Sequence, residues 1–186
     1  FSIKRYYEIS TRPAIAAMSE SEAIKVYMNE FERSIQLRLR SDVKVGTCLS
    51  GGLDSSAVAA VASKQYGDLA GRRFSAIHGR STEKESDESR FAQTVADFAA
   101  LDLQLVEPGS DDFLRVLDDV INTQEEPFGS PSVFMQYFVL QKARSLNCIV
   151  MLDGQGGDET LLGYEKYYPA YLMDLRGLKK WRGFLD

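Results

Sequence analysis

Val43-Lys44-Val45-Gly46-Thr47-Cys48-Leu49-Ser50-Gly51-Gly52-Leu53-Asp54-Ser55-Ser56 is the stretch on which the fold turns. Val43 to Leu49 is a short apolar run with the character of a buried strand, and Ser55 to Tyr66 is an Ala- and Val-rich helix closing near Gly67. Between them, Gly51 and Gly52 let the backbone turn sharply and approach a ligand closely. The serine hydroxyls and the unpaired amides of the helix start are expected to face outward as donors. With the positive end of the helix dipole they make an anion site. Asp54 is out of place beside a phosphate unless a cation intervenes. A divalent metal bridging Asp54 and phosphate oxygens resolves the conflict, and Mg²⁺ is the hard, oxygen-seeking candidate. The Gly-Lys-Ser/Thr ending of a Walker A loop is missing, so a lysine-cradled γ-phosphate is not expected. Turn chemistry is also served by an ordinary Gly-Gly turn with a Ser/Asp helix cap. On this loop alone that plainer reading comes first.

Outward from this stretch the pattern alternates. Ser19 with Glu22 has the form of a capping box, and Ile24, Met28, Phe31 and Ile35 follow at helical spacing, predicting a helix from Ser19 to about Arg40. Phe74 to His78, Leu103 to Val106 and Ile149 to Leu152 read as further strands. Asp87 to Ala100 reads as a helix with Phe91, Val95 and Phe98 on one face. Another is capped by Ser110, with Asp111 and Asp112 in its first turn, and a third is opened by Ser130 and Pro131 and runs to about Leu146. Strands separated by helices of this length predict parallel pairing, hence an α/β doubly wound sheet. In that architecture ligands bind beyond the carboxyl ends of the strands. Asp153-Gly154-Gln155-Gly156-Gly157-Asp158-Glu159 follows the strand Ile149 to Leu152, a second glycine-rich, carboxylate-bearing turn expected on the same rim. Two such loops facing one another can hold a metal and a polyphosphate together; two unrelated surface turns are the plainer alternative.

Composition narrows the class. The 186 residues suit one domain with a real core; 44% are hydrophobic and 26% charged. A net charge of -5 argues against a general nucleic-acid binder, and Lys179, Lys180 and Arg182 are too few to make a basic face. No apolar run approaches the roughly 20 residues needed to span a bilayer, so no membrane partner is expected. Cys48 and Cys148 lie in or beside apolar strand-like runs and read as buried free thiols, with a reducing cytoplasm as the expected compartment. His78, the lone histidine, sits at a strand end near the rim, where a packing role is expected ahead of catalysis. Tyr164, Tyr167, Tyr168 and Tyr171 fall at helical spacing and are expected to pack on further protein. The chain starts at Phe1 without Met and stops at Asp186 in an aromatic and basic stretch, as an excised piece of a longer polypeptide would.

Ser50 to Ser56 resembles the pyrophosphate-binding motif of the N-type ATP pyrophosphatases, with the adenine nucleotide alpha hydrolase-like (PP-loop) fold. Asp153 to Glu159 followed by Leu162-Gly163-Tyr164 resembles the asparagine synthetase branch, as do Asp87-Glu88 opening a helix and Glu126-Pro127 before a Pro-Ser helix start. The resemblance runs from about Tyr6 to Tyr171. It implies that backbone at Leu49 and Ala76 meets the adenine, with Asp153 and Gly154 beside the nucleotide. Ser50, Gly51, Gly52, Ser55 and Ser56 would hold the β,γ-pyrophosphate of ATP, and Asp54 and Asp158 would coordinate Mg²⁺. It further implies adenylation of the aspartate side chain with release of pyrophosphate, and amidation to asparagine by ammonia from glutamine. A related amide ligase of β-lactam-forming or peptide-tailoring type, or a non-catalytic nucleotide-binding homologue, is the alternative. Gln155 stands where several members carry Glu and receives no acid–base role. Residues 1–18 would be a linker from an N-terminal glutaminase domain and 19–186 a synthetase domain truncated at its C-terminus. A homodimer of the full-length protein is a further expectation. Neither Cys48 nor Cys148 matches the family's N-terminal nucleophile, so the piece itself is expected to bind ATP without glutamine-dependent synthesis.

Overall fold

The computed structural model describes residues 1–177 except Ile9 and Thr11; the basic residues Lys179, Lys180 and Arg182 lie outside them. The chain divides into two compact units, Phe1–Arg40 and the remainder from Ser41. In the first, α1 (Pro13–Ala16) precedes α2 (Glu20–Arg38). The expected capping box is present. The Ser19 amide donates to Glu22 Oε2 at 2.9 Å and the Glu22 amide to Ser19 Oγ at 3.4 Å, satisfying two amides at the helix start. The predicted apolar stripe is exposed at Ile24 and Met28 and buried at Ile35.

The second unit holds β1 (Lys44–Cys48), α3 (Leu53–Ala70), β2 (Ser75–Gly79), α4 (Ser89–Phe98), β3 (Asp102–Val106), α5 (Ser110–Gln124), α6 (Ser132–Ser145), β4 (Cys148–Leu152), α7 (Gly157–Leu161) and α8 (Tyr168–Gly177). The four strands are parallel in the order β3-β2-β1-β4. α3 packs on β1 and α4, and α4 on β2 and β3. α6 packs on β2, β3 and β4 and carries α5. This is the expected doubly wound α/β sheet. The chain steps outward from β1 through β2 to β3, then returns to the other side of β1 for β4. The order therefore reverses between β1 and β4, and open α/β sheets bind ligands outside the carboxyl ends of strands at such a reversal.

Local physics explains where elements depart from the sequence reading. α3 passes Gly67 and ends at Gly71, whose φ of +62° suits the residue that closes a helix; its amide donates to Gly67 O at 3.0 Å. Gly109 rather than Ser110 is the N-cap of α5, because Asp112 reaches back to the Gly109 amide at 3.1 Å. α4 starts at Ser89, since Asp87 spends its carboxylate on the Ser89 amide and hydroxyl. The face of α4 that meets the sheet is Ala92 and Ala96, both buried, while Phe91 and Phe98 are exposed. Core residues gather on both sides of the sheet. Phe74 is fully buried with its ring 5.0 Å from Tyr66. Val116, Val120, Phe134 and Phe138 cluster between α5 and α6.

Candidate functional site

The two glycine-rich segments leave the sheet side by side. Thr47 in β1 pairs with Leu152 in β4, so the strands run out at the same level. The buried Thr47 hydroxyl donates to the Leu152 carbonyl at 3.2 Å and ties the two strand ends together. Beyond them, residues of both segments line one cavity of about 690 Å³, within the usual range for small-molecule sites.

The first loop is held by its serines. The Ser50 amide donates to Ser55 Oγ at 3.2 Å, the two hydroxyls are 2.9 Å apart, and the Gly52 amide donates to Ser50 Oγ at 3.2 Å. Ser55 and Ser56 hydroxyls donate to the Gly52 carbonyl at 3.2 and 2.6 Å. The expectation of outward hydroxyl donors is therefore modified: these hydroxyls brace the turn. The amides at the start of α3 are the ones left for an anion, since no side chain caps Gly52. Gly51 has φ +94°, and a Cβ there would press on the Glu88 carbonyl at 3.1 Å, so the loop lies directly on the entry to α4.

The second loop touches the first. A Cβ on Gly154 would stand 2.6 Å from the Ser55 amide nitrogen, and one on Gly157 would collide with the Asp54 carboxylate. Only glycine fits at Gly154, whose neighbours are backbone atoms, and Gly157 lets the Asp54 carboxylate rest against the residue preceding Asp158. A Cβ on Gly163 would strike the Asp158 carboxylate in the same way. Asp153 accepts the Gln155 amide at 3.3 Å, and Tyr164 OH donates to Glu159 at 2.9 Å; its own backbone amide first and the Tyr164 hydroxyl second hold the Glu159 carboxyl below its usual range. Tyr164 and Tyr167 rings lie 5.6 Å apart, while Tyr168 and Tyr171 are exposed.

Leu49, Ser50, Gly52, Asp54, Ser55, Asp153, Gly154 and Asp158 all line the cavity. Gly51, Ser56 and Ala76 do not. Gly51 and Ser56 shape the turn behind it, and Ala76 is fully buried in β2, where its neighbours Ile77, His78 and Gly79 form the wall instead. Sequence reading missed Ser132, Met135 and Gln136, which α6 contributes from its first turns. The Ser130-Pro131 helix opening was the available signal of where α6 begins. Cys48, also on the wall, has its thiol pushed up to about 12 by burial and then by the charge and hydrogen bond of Asp153. A thiol raised in this way favours its protonated form. The lining carries Asp54, Glu88, Asp153 and Asp158 and, among the described residues, no lysine or arginine.

A sequence model of the asparagine synthase family matches residues 27–183. A Methanocaldococcus jannaschii protein bearing the name of a glutamine-hydrolysing asparagine synthetase 2 is 37% identical over 150 residues, 79% of this chain and 28% of that protein. The glutamine-hydrolysing asparagine synthetase 1 of Bacillus subtilis is 27% identical over 167 residues, 89% of this chain and 25% of that protein. The chain thus spans 28% and 25% of the length of these relatives. The solved NH3-dependent NAD synthetase of Campylobacter jejuni superposes with a TM-score of 0.50 at 20% identity, over 80% of this chain and 62% of that one, a likeness of fold. Rim geometry, fold and kinship agree, and the chain belongs to the asparagine synthase family.

Proposed function

We propose that this chain is the ATP-binding synthetase part of an amide ligase that activates the side-chain carboxylate of aspartate. The observation that carries the reading is the interlock of the two loops at the β1/β4 reversal, where Asp54 abuts Gly157 beside Asp158. Adenine would lie along the backbone at Leu49, with Ala76 setting the strand behind it. Asp153 and Gly154 would flank the nucleotide, and Ser50 to Ser56 would hold the β,γ-pyrophosphate on the α3 amides.

Charge decides whether Mg²⁺ fits. A polyphosphate entering a wall that carries four carboxylates and, among the described residues, no lysine or arginine is repelled unless a cation enters with it. No group of three or more His, Cys, Asp or Glu among the described residues could hold a metal by itself. Asp54 and Asp158 would therefore share it with phosphate oxygens and water, as Mg²⁺ prefers. Bound there, the metal would neutralise charge on the β,γ end.

In this reading an aspartate carboxylate oxygen attacks the α-phosphorus. The bond from that phosphorus to the bridging oxygen breaks and pyrophosphate leaves, its charge met by the α3 amides. Ammonia then adds to the activated acyl carbon, AMP departs, and asparagine results. Ammonia would come from glutamine on a glutaminase domain of the same polypeptide, in the cytoplasm, with residues 1–18 as the connecting linker. The protein's part is to hold ATP and acceptor in line, a contribution worth about 7–11 kcal/mol in well-oriented systems.

The test is calorimetry of ATP binding to the chain with Mg²⁺ and with EDTA. Binding is expected only with the metal, and Asp54→Asn should weaken the Mg²⁺ dependence more than adenosine binding. Equal ATP affinity in EDTA overturns the site as described.

A further inference from the structure

His78 is 2% exposed and lies at the end of β2, on the wall of the rim cavity. Its Nδ1 stands 2.8 Å from the Leu49 carbonyl, and its Nε2 stands 3.2 Å from Ser89 Oγ. A carbonyl only accepts, so Nδ1 carries the hydrogen. Ser89 in turn contacts Asp87 Oδ1 through both its hydroxyl and its amide, and Asp87 Oδ2 is 3.4 Å from Arg80 Nε. The hydroxyl has one hydrogen to give. Donated to Asp87, it leaves an oxygen lone pair facing Nε2; donated to Nε2, it leaves Asp87 the Ser89 amide and Arg80. With Nδ1 donating to Leu49, the second arrangement holds a neutral imidazole from behind, and the first holds it only when Nε2 also carries a hydrogen.

What this imidazole holds is one peptide plane. The Leu49 amide still belongs to the sheet, donating to Ile77 O at 2.9 Å. The Leu49 carbonyl lies past the end of β1 and is rigidly coplanar with the Ser50 amide, because the peptide bond does not rotate. That amide donates to Ser55 Oγ at 3.2 Å. His78 and Ser55 therefore take opposite edges of the Leu49–Ser50 peptide, and a rotation that frees one edge breaks the other. We infer that His78 is a positioning residue, which fixes the Leu49–Ser50 peptide and through it the glycine loop in the form that receives the nucleotide phosphates. The inference rests on the nucleotide reading above for what the loop binds, and on the hydrogen-bond chain for how the loop is held.

Three substitutions separate the two ring nitrogens. The Asn amide nitrogen superposes on Nδ1 and retains the bond to Leu49. The Gln amide reaches the place of Nε2 and loses it. Phe fills the volume and makes neither bond. Titrating Mg·ATP into the chain, His78→Phe and His78→Gln should each weaken binding about tenfold, the effect of one net hydrogen bond of roughly 1.4 kcal/mol. His78→Asn should restore affinity to within about threefold of the parent chain. Ser89→Ala should weaken it less than His78→Phe. Imidazole ¹⁵N spectra of the parent chain should show a protonated Nδ1.

The inference is overturned if His78→Phe lowers only the melting temperature and binds Mg·ATP as before, which is the signature of a packing residue. It is overturned equally if Asn and Gln lose the same affinity, or if Nδ1 is unprotonated. Should His78→Phe fail to fold, the Asn and Gln pair still decides. If the parent chain binds no Mg·ATP, the nucleotide reading fails, and the ¹⁵N spectrum and the relative melting temperatures of the Asn and Gln variants judge the relay by itself.

Discussion

At the scale of single residues the candidate site is made by atoms that are missing. Gly154 stands where a Cβ would enter the Ser55 amide, so its identity is dictated by a backbone more than ninety positions earlier, and Gly157 lies against the Asp54 carboxylate. Gly154→Ala is expected to push the second loop away from the start of α3. That movement opens the space between Asp54 and Asp158 and uncovers the Ser55 amide. Mg·ATP affinity should fall at least about tenfold, with a loss of stability of about 1–3 kcal/mol from overpacking. Calorimetry and thermal unfolding measure the two separately. An Ala variant that binds Mg·ATP unchanged would mean that the loops need not touch. By contrast, Gly109 and Gly129 have open space around them and impose no such demand.

At the scale of elements, caps and close approach determine where helices begin and which face they bury. The α2 capping box needs an ionised Glu22, whose carboxyl is held below its ordinary 4.5 by the Ser19 hydroxyl and then by the Ser19 amide. The sign follows from linkage. A carboxyl depressed in the folded state adds stability above its unfolded pKa and loses it as pH falls through the folded value. The first turn of α2 should therefore loosen as pH drops below about 4.5, seen as faster amide exchange there. Ser19→Ala should cost on the order of 1 kcal/mol and abolish that pH response. A Ser19→Ala chain whose first turn still loosens over the same window would locate the cause elsewhere. α4 follows the other rule: alanines meet the sheet and phenylalanines face outward, against the hydrophobic pattern of its own sequence.

At the scale of the whole molecule, the strand order β3-β2-β1-β4 makes β1 and β4 neighbours although more than ninety residues separate them in sequence. That adjacency turns two turns into one cavity. If the cavity grips the β,γ end of ATP, cleavage falls between the α- and β-phosphorus. A polypeptide containing this chain should release AMP and pyrophosphate in proportion to asparagine formed, and only when aspartate is supplied. Radiolabelled ATP resolved by chromatography checks it. Release of ADP and orthophosphate would place cleavage at the γ-phosphate and remove the assignment.

The strand–loop–helix units, the capping box and the two glycine-rich turns were legible in the residues, because propensity, glycine freedom and helix capping act over a few positions. Other features depended on long-range packing. The contact of Gly154 with Ser55, the alanine face of α4 and the walls supplied by α6 come from elements far apart in sequence. His78 shows the division most clearly. As a lone histidine at a strand end it carried no signal beyond packing. Its bond to Leu49 exists because β1 ends at Cys48, opposite Ile77, while β2 runs two residues further to Gly79 and brings the His78 ring to the Leu49 carbonyl. Local sequence determined the glycines, serines and carboxylates that each loop carries. The crossing back of the chain to β4 determined that the loops would line one cavity, since adjacency in a sheet is set by the packing of the whole chain.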